Sequence, residues 1–160
     1  MNQAANVQQP ILWIHGEALG PGNPALQAHP GAPAIFVFDS DLIGSQGISL
    51  KRLGFLYECL LELPVTLRRG DVAAEVLTFA ARHNADGVIT TNAVDPRFET
   101  IRQAIAAVLP LEVLTAQAFV ELNALEAADA KAHRKLDLQR FSRYWKRAEP
   151  RVWAGFNRPD

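Results

Sequence analysis

Short apolar runs alternate along this chain with stretches of helical periodicity. Five runs stand out: Ile11–His15, Ala34–Asp39, Val65–Arg68, Gly87–Thr91 and Leu111–Leu114. Each is rich in Val, Ile and Leu and largely apolar at successive positions, which suits strands buried on both faces of a parallel sheet. Between them, Leu53, Leu56, Tyr57, Leu60 and Leu63 form one helical stripe, and Phe98, Ile101, Ala104, Ile105 and Val108 form another. Asn23-Pro24 and Asp95-Pro96 each set a capping side chain before a proline at the first helical position, where the missing N–H costs nothing. Ser49 and Asp71 are further candidate caps.

Strand alternating with helix predicts right-handed crossovers and an α/β, Rossmann-like doubly wound sandwich, with a five-stranded parallel sheet flanked by helices. Ligands in such a sheet sit beyond the carboxyl ends of the strands. The loops of interest are therefore His15–Gly22, Asp39–Gly47, Arg69–Asp71 and Thr91–Arg97. They supply the candidate ligand-holding residues His15, Glu17, Asp39, Asp41, Thr91, Asn92, Asp95 and Arg97. The acidic loop from Asp39 suits a ribose hydroxyl or polar ring, and a helix starting near Pro96 favours an anion.

Composition narrows the function classes. A chain of 160 residues has the size of one domain, and its formal charge of −1 argues against a uniformly basic nucleic-acid surface. The single cysteine, Cys59, excludes an intrachain disulfide and fits a reducing, cytoplasmic setting, with the thiol expected as a small buried hydrophobe. No apolar run approaches the roughly 18 residues of a membrane span. Residues 1–10 are polar and uncharged, as expected of a flexible tail rather than a signal peptide. His15, His29, His83 and His133 are scattered, with no metal-ligand spacing. A G-x-S-x-G elbow, a G-x-G-x-x-G turn and a Walker A motif are all missing.

Charge is unevenly spread. Between Lys131 and Arg151 lie eight basic side chains against two acidic ones, interleaved with Phe141, Tyr144 and Trp145. Such a segment either docks phosphate or an acidic partner, or forms a solvated helix whose aromatics pack back on the body. Arg140, Arg143, Trp145 and Lys146 are the candidate docking residues. The organisation expected is a tail over 1–10, an α/β domain over 11–125 and a basic aromatic segment over 126–160.

Taken in order, these pieces resemble the N-terminal α/β domain of the DNA photolyase and cryptochrome family. Trp13 and Asn23-Pro24-Ala25-Leu26 keep the frame of its opening strand and loop, and Ile35-Phe36-Val37-Phe38-Asp39 resembles its second strand with a closing aspartate. Ser49, Arg52, Phe55-Leu56, Glu58 and Leu60 follow its S-x-x-R-x-x-F-L-x-E-x-L pattern. Arg68-Arg69-Gly70-Asp71, Ala85-Asp86-Gly87-Val88 and Asn92…Asp95-Pro96 are similar to later turns, and Phe141-Ser142-Arg143-Tyr144-Trp145-Lys146 to the exit segment. The family's two loop arginines and first acidic residue fall here on His15, Leu19 and Glu17, and its later aspartate on Gly22, so this loop must be held differently.

The resemblance implies a non-catalytic α/β subunit that pairs with a separate FAD-binding helical protein in blue-light sensing or DNA photorepair. It implies FAD only through that partner, DNA only indirectly, and an antenna chromophore (pterin, deazaflavin or flavin) on the domain itself. A homo-oligomer and a small-molecule binder acting without a partner are the other expectations. Photorepair by this chain alone and a universal-stress-type nucleotide binder rank below them.

Overall fold

All five apolar runs form strands: β1 (Pro10–Ile14), β2 (Ala34–Asp39), β3 (Thr66–Gly70), β4 (Gly87–Thr91) and β5 (Leu111–Leu114). The computed structural model describes residues 7–45, 48–115 and 141–156. Every strand pairing is parallel, in the order β3-β2-β1-β4-β5. The chain therefore winds outward from β1 to β3 on one side, then returns to lay β4 and β5 on the other. The junction between β1 and β4 is the switch point of a doubly wound α/β sheet.

The helices are α1 (Pro24–Ala28), α2 (Ser40–Ser45), α3 (Leu50–Leu61), α4 (Val72–Arg82) and α5 (Pro96–Ala106). Alternation along β1 feeds both layers. Ile11 and Trp13 pack with Val76 and Phe79 of α4 and Ile105 of α5, whereas Leu12 and Ile14 pack with Ala25 of α1 and Leu60 of α3. Burial on both faces of the central strand is what makes its sequence a continuous apolar run.

Four helices start at the residues that sequence picked out. Asn23, Ser49, Asp71 and Asp95 each accept from backbone amides of the first turn, which satisfies donors that no helical carbonyl can reach. Asn23 does more than cap. Its Oδ1 accepts from Ala25 and Leu26 and its Nδ2 donates to the Ala18 carbonyl, so this buried amide holds the loop after β1 closed.

Several expectations change. β1 begins at Pro10 and ends at Ile14, so His15 belongs to the loop, and the expected tail boundary at residue 10 falls inside a strand. Residues 8–10 are anchored because the Asp86 carboxylate accepts from the amides of Gln8 and Gln9 at 2.8 and 2.9 Å. β3 runs on to Gly70, where the glycine admits the Glu75 side chain: an added Cβ would lie 2.9 Å from Glu75 Cγ. The stretch after Asp39 is no loop, because Asp39 Oδ1 accepts from the amides of Asp41 and Leu42 and starts α2.

The helical stripes are narrower than drawn. Tyr57 is 50% exposed and Ala104 is exposed, since each lies to the side of the face its helix turns to the sheet, and Val108, 65% exposed, lies beyond the end of α5. Cys59 is half-buried rather than enclosed.

The chain divides into two compact units, Met1–Ala116 and Gln117–Asp160. The boundary expected at residues 125 and 126 lies outside the described residues. In the second unit, α6 (Phe141–Phe156) buries Ala148 against Tyr144 and Val152, and carries Pro150 inside the helix. No helix among the described residues is long and apolar enough to cross a membrane.

Candidate functional site

Beyond the carboxyl ends of β1 and β2, beside the switch point, lies a cavity of about 200 Å³. Its walls combine Trp13, Phe36, Phe38 and Phe98 with Leu53 and Leu56 of α3. Pockets that engulf a drug-sized ligand run to roughly 300–1,000 Å³. This one therefore suits a ring system rather than a whole dinucleotide.

Trp13 forms the floor. Its indole is 3% exposed and stacks on Phe98 with centroids 5.4 Å apart and planes 13° from parallel. No described residue accepts from the indole Nε1, yet no buried side-chain nitrogen or oxygen among the described residues lacks a partner. The Nε1–H group therefore keeps some accessible surface.

Five of the eight sequence candidates line this cavity: His15, Glu17, Asp39, Asp95 and Arg97. They are joined mainly to the protein itself. Thr91 O lies 2.8 Å from His15 Nε2, and the Glu17 amide donates to Nδ1 at 3.3 Å. A carbonyl only accepts and an amide only donates, so the ring carries its proton on Nε2 and leaves Nδ1 bare. His15 thereby ties the loop after β1 to the end of β4.

Glu17 fills the place expected for a bound anion. Its two carboxylate oxygens accept from the amides of Val94 and Asp95, each at 2.8 Å. Those donors sit at the positive end of α5, so an internal carboxylate takes the dipole and the amides. This is how the loop is held without the arginines that the family pattern places there. The Asp39 carboxylate is engaged likewise: Oδ1 starts α2, and Oδ2 accepts from Arg97 NH1 at 3.1 Å. A ribose hydroxyl would have to compete with both sets of bonds.

Arg97 spans the site. It donates to Asp39 at the end of β2 and, through NH2 at 2.7 Å and Nε at 3.2 Å, to Asp95 at the start of α5. The guanidinium holds the Asp95 carboxyl below the usual carboxylate range, and Asp95 raises the Arg97 guanidinium in turn. Bonds from the Gln8 and Gln9 amides lower Asp86 in the same way, and Arg102 with Gln103 brings Glu99 down to about 2.

These depressed values set the expected response to acid. A carboxyl lowered by folding contributes fully above its unfolded value and loses that contribution as pH falls through its folded value. The urea midpoint should therefore stay level from pH 7 to about pH 5, then fall steadily towards pH 2. Asp95→Asn should flatten that fall. A midpoint that rises on acidification would contradict these pairings.

The other three candidates lie apart from the cavity. Asp41 is exposed in the first turn of α2, and its carbonyl accepts from Ser45 Oγ. Thr91 is buried, its hydroxyl 3.4 Å from Asn23 Oδ1, while Asn92 is exposed and donates its amide to the Leu114 carbonyl. Thr91 and Asn92 tie the end of β4 to neighbouring elements, whereas the bonds of Asp41 stay within the start of α2. Of the expected docking residues, Trp145 is half-buried and stacks on Phe141 with centroids 5.9 Å apart, and Lys146 is exposed. Arg140 and the Arg143 side chain lie outside what is described.

Sequence reasoning passed over the cation that matters most. Arg52 lines the cavity from α3, is exposed, and forms no ion pair with any described residue. The signal was its position one turn before Leu56, close to the face that turns Leu53, Leu56 and Leu60 inward. With Arg97 held between two aspartates, Arg52 is the cavity-lining guanidinium whose charge no described carboxylate takes up. Among the described residues, no cluster of three or more His, Cys, Asp or Glu side chains could hold a metal ion.

No protein-family model matches this sequence, and no curated protein matches it either.

Proposed function

We propose that this chain is a non-catalytic, ligand-binding α/β module of the photolyase and cryptochrome type. It holds a planar aromatic ligand in the cavity beside the β1/β4 switch point. The observation that carries the reading is an aromatic slot floored by Trp13, with an exposed Arg52 at its rim that forms no ion pair with any described residue. A flat ring fits between such aromatic walls, edge or face against the side chains that line them, while the guanidinium recognises a carboxylate or phosphate on the same ligand. A folate, a phosphorylated deazaflavin and FMN all combine those two features.

The catalytic residues of any photochemistry would come from elsewhere. Apart from Arg52, the acidic, basic and imidazole groups around the cavity are spent on each other and on the backbone, an arrangement that supports a rigid binding wall. The resemblance in sequence assigns the chemistry to a separate FAD-binding helical protein. In the second unit, α6 carries exposed Phe141 and Lys146 beside half-buried Trp145, which supports a docking role for that segment.

The test is a fluorescence titration of the full chain carrying Trp145→Phe and Trp153→Phe, so that only Trp13 reports. Folate, a deazaflavin and FMN serve as probes. At least one should quench Trp13, and Arg52→Ala should weaken that binding about tenfold, the usual loss for one charge-assisted bond. If none of the three quenches at roughly 1 mM, the ligand-binding reading fails.

A further inference from the structure

The outer face of α3 is more apolar than a solvated helix face. Leu50 is 85% exposed, Phe55 65%, Leu61 64% and Tyr57 50%, while the adjoining face of the same helix packs Leu60 against the sheet residues. A contiguous exposed apolar patch of this kind normally marks a contact surface. Leu50, Gly54, Tyr57 and Leu61 follow one another at helical spacing, so they make a continuous exposed stripe.

Two details say what covers it. Gly54 sits in the middle of the stripe, where glycine weakens a helix relative to alanine. Its own fold does not require it, because nothing lies within 4 Å of an added Cβ. A bare backbone there lets another helix approach closely. The charges along α3 are also polarised: Lys51 and Arg52 lie at its start, Glu58 and Glu62 at its end. An antiparallel copy of the helix would set Lys51 beside Glu62 and Glu58 of the other copy, Leu50 against Leu61, and Tyr57 over Gly54. A parallel copy would bring like charges together.

We propose that α3 is a homodimer interface, formed by two copies of this chain packing their α3 helices antiparallel about a two-fold axis near Phe55 and Leu56. The contact is self-complementary, as a two-fold interface must be. One helix per copy makes a small interface, below roughly 1,200 Å² in total, so association is reversible and in the micromolar range. This surface is separate from the ligand reading and stands without it.

The experiment is sedimentation equilibrium of the full chain from about 1 to 300 μM. A monomer–dimer equilibrium is expected. Lys51→Glu and Glu62→Lys should each raise the dissociation constant about tenfold. The double variant Lys51→Glu/Glu62→Lys should restore it. Within one copy these residues lie about 16 Å apart along the helix, too far to pair, so restoration can come only from contact between copies. Gly54→Ala should weaken the dimer while leaving the monomer folded, as read by circular dichroism. A monomer throughout the range would overturn the proposal. So would a dimer indifferent to Gly54→Ala, or charge-reversed variants that do not rescue each other. Association of this face only with a different protein would overturn it as well.

Discussion

Trp13→Ala is expected to lower the unfolding free energy by about 4 kcal/mol, the largest loss from any single substitution considered for this chain. The indole lies on the central strand, almost wholly buried, with Phe98 stacked on it and His15 edge-on at 5.9 Å. Truncation removes the transfer energy of a large aromatic and leaves a hole that a parallel strand, bonded on both sides, cannot collapse to fill. Trp13→Phe keeps most of the packing and should cost less than half as much. Urea unfolding followed by circular dichroism separates the two. A loss below about 2 kcal/mol for alanine would mean that the site relaxes and that Trp13 is no rigid floor.

Arg97→Met should cost about 2 kcal/mol at neutral pH. The substitution keeps the stem and removes a cation that two carboxylates share, so Asp39 and Asp95 are left facing each other unneutralised. The side chains of Arg97 and Asp95 are 39% and 36% exposed and that of Asp39 is 20% exposed, so water screens part of the effect. The value therefore lies between the fraction of a kcal/mol typical of surface pairs and the 3–5 kcal/mol typical of buried ones. Acid supplies the sign check. Without Arg97, the Asp95 carboxyl is no longer held down, so the variant should lose less stability on acidification and should converge on the parent once Asp95 is protonated in both. Adding Asp39→Asn should recover part of the loss at pH 7, because the two sites are coupled. Equal losses at both pH values would point to lost packing of the stem instead.

Much of the fold could be read from local signals, because the physics behind it is local. Strands buried on both faces must be short and apolar, and four helix starts were visible because Asn23, Ser49, Asp71 and Asp95 cap the amides next to them. The site was less legible. Arg97 meets Asp39, 58 residues away, and Glu17 reaches the amides of Val94 and Asp95, 77 and 78 residues away. No periodicity encodes such pairs. They arise because β1, β2 and β4 end on the same edge of the sheet. Five of the eight expected ligand groups line the cavity but are already engaged, and only the three-dimensional structure distinguishes an engaged carboxylate from a free one.

The same distinction explains why α3 and Arg52 were undervalued. A stripe of leucines predicts a packed face, and α3 does pack Leu60, but it also leaves Leu50, Tyr57 and Leu61 outside. The helix carries more apolar positions than one face can bury. Arg52 reads in sequence as an ordinary surface cation of an amphipathic helix. Its meaning comes from lying beside the aromatic slot with no described partner.

The central claim is that Trp13 floors a cavity able to hold a planar ring. It is tested most directly at the indole N–H itself, by following the three tryptophan Nε1–H signals in a proton–nitrogen NMR spectrum of the full chain, with Trp13→Phe to assign its peak. Addition of the ligand that binds among folate, a deazaflavin and FMN should move the Trp13 signal and leave those of Trp145 and Trp153 in place. An unmoved Trp13 signal alongside shifts at Trp145 or Trp153 would contradict the account.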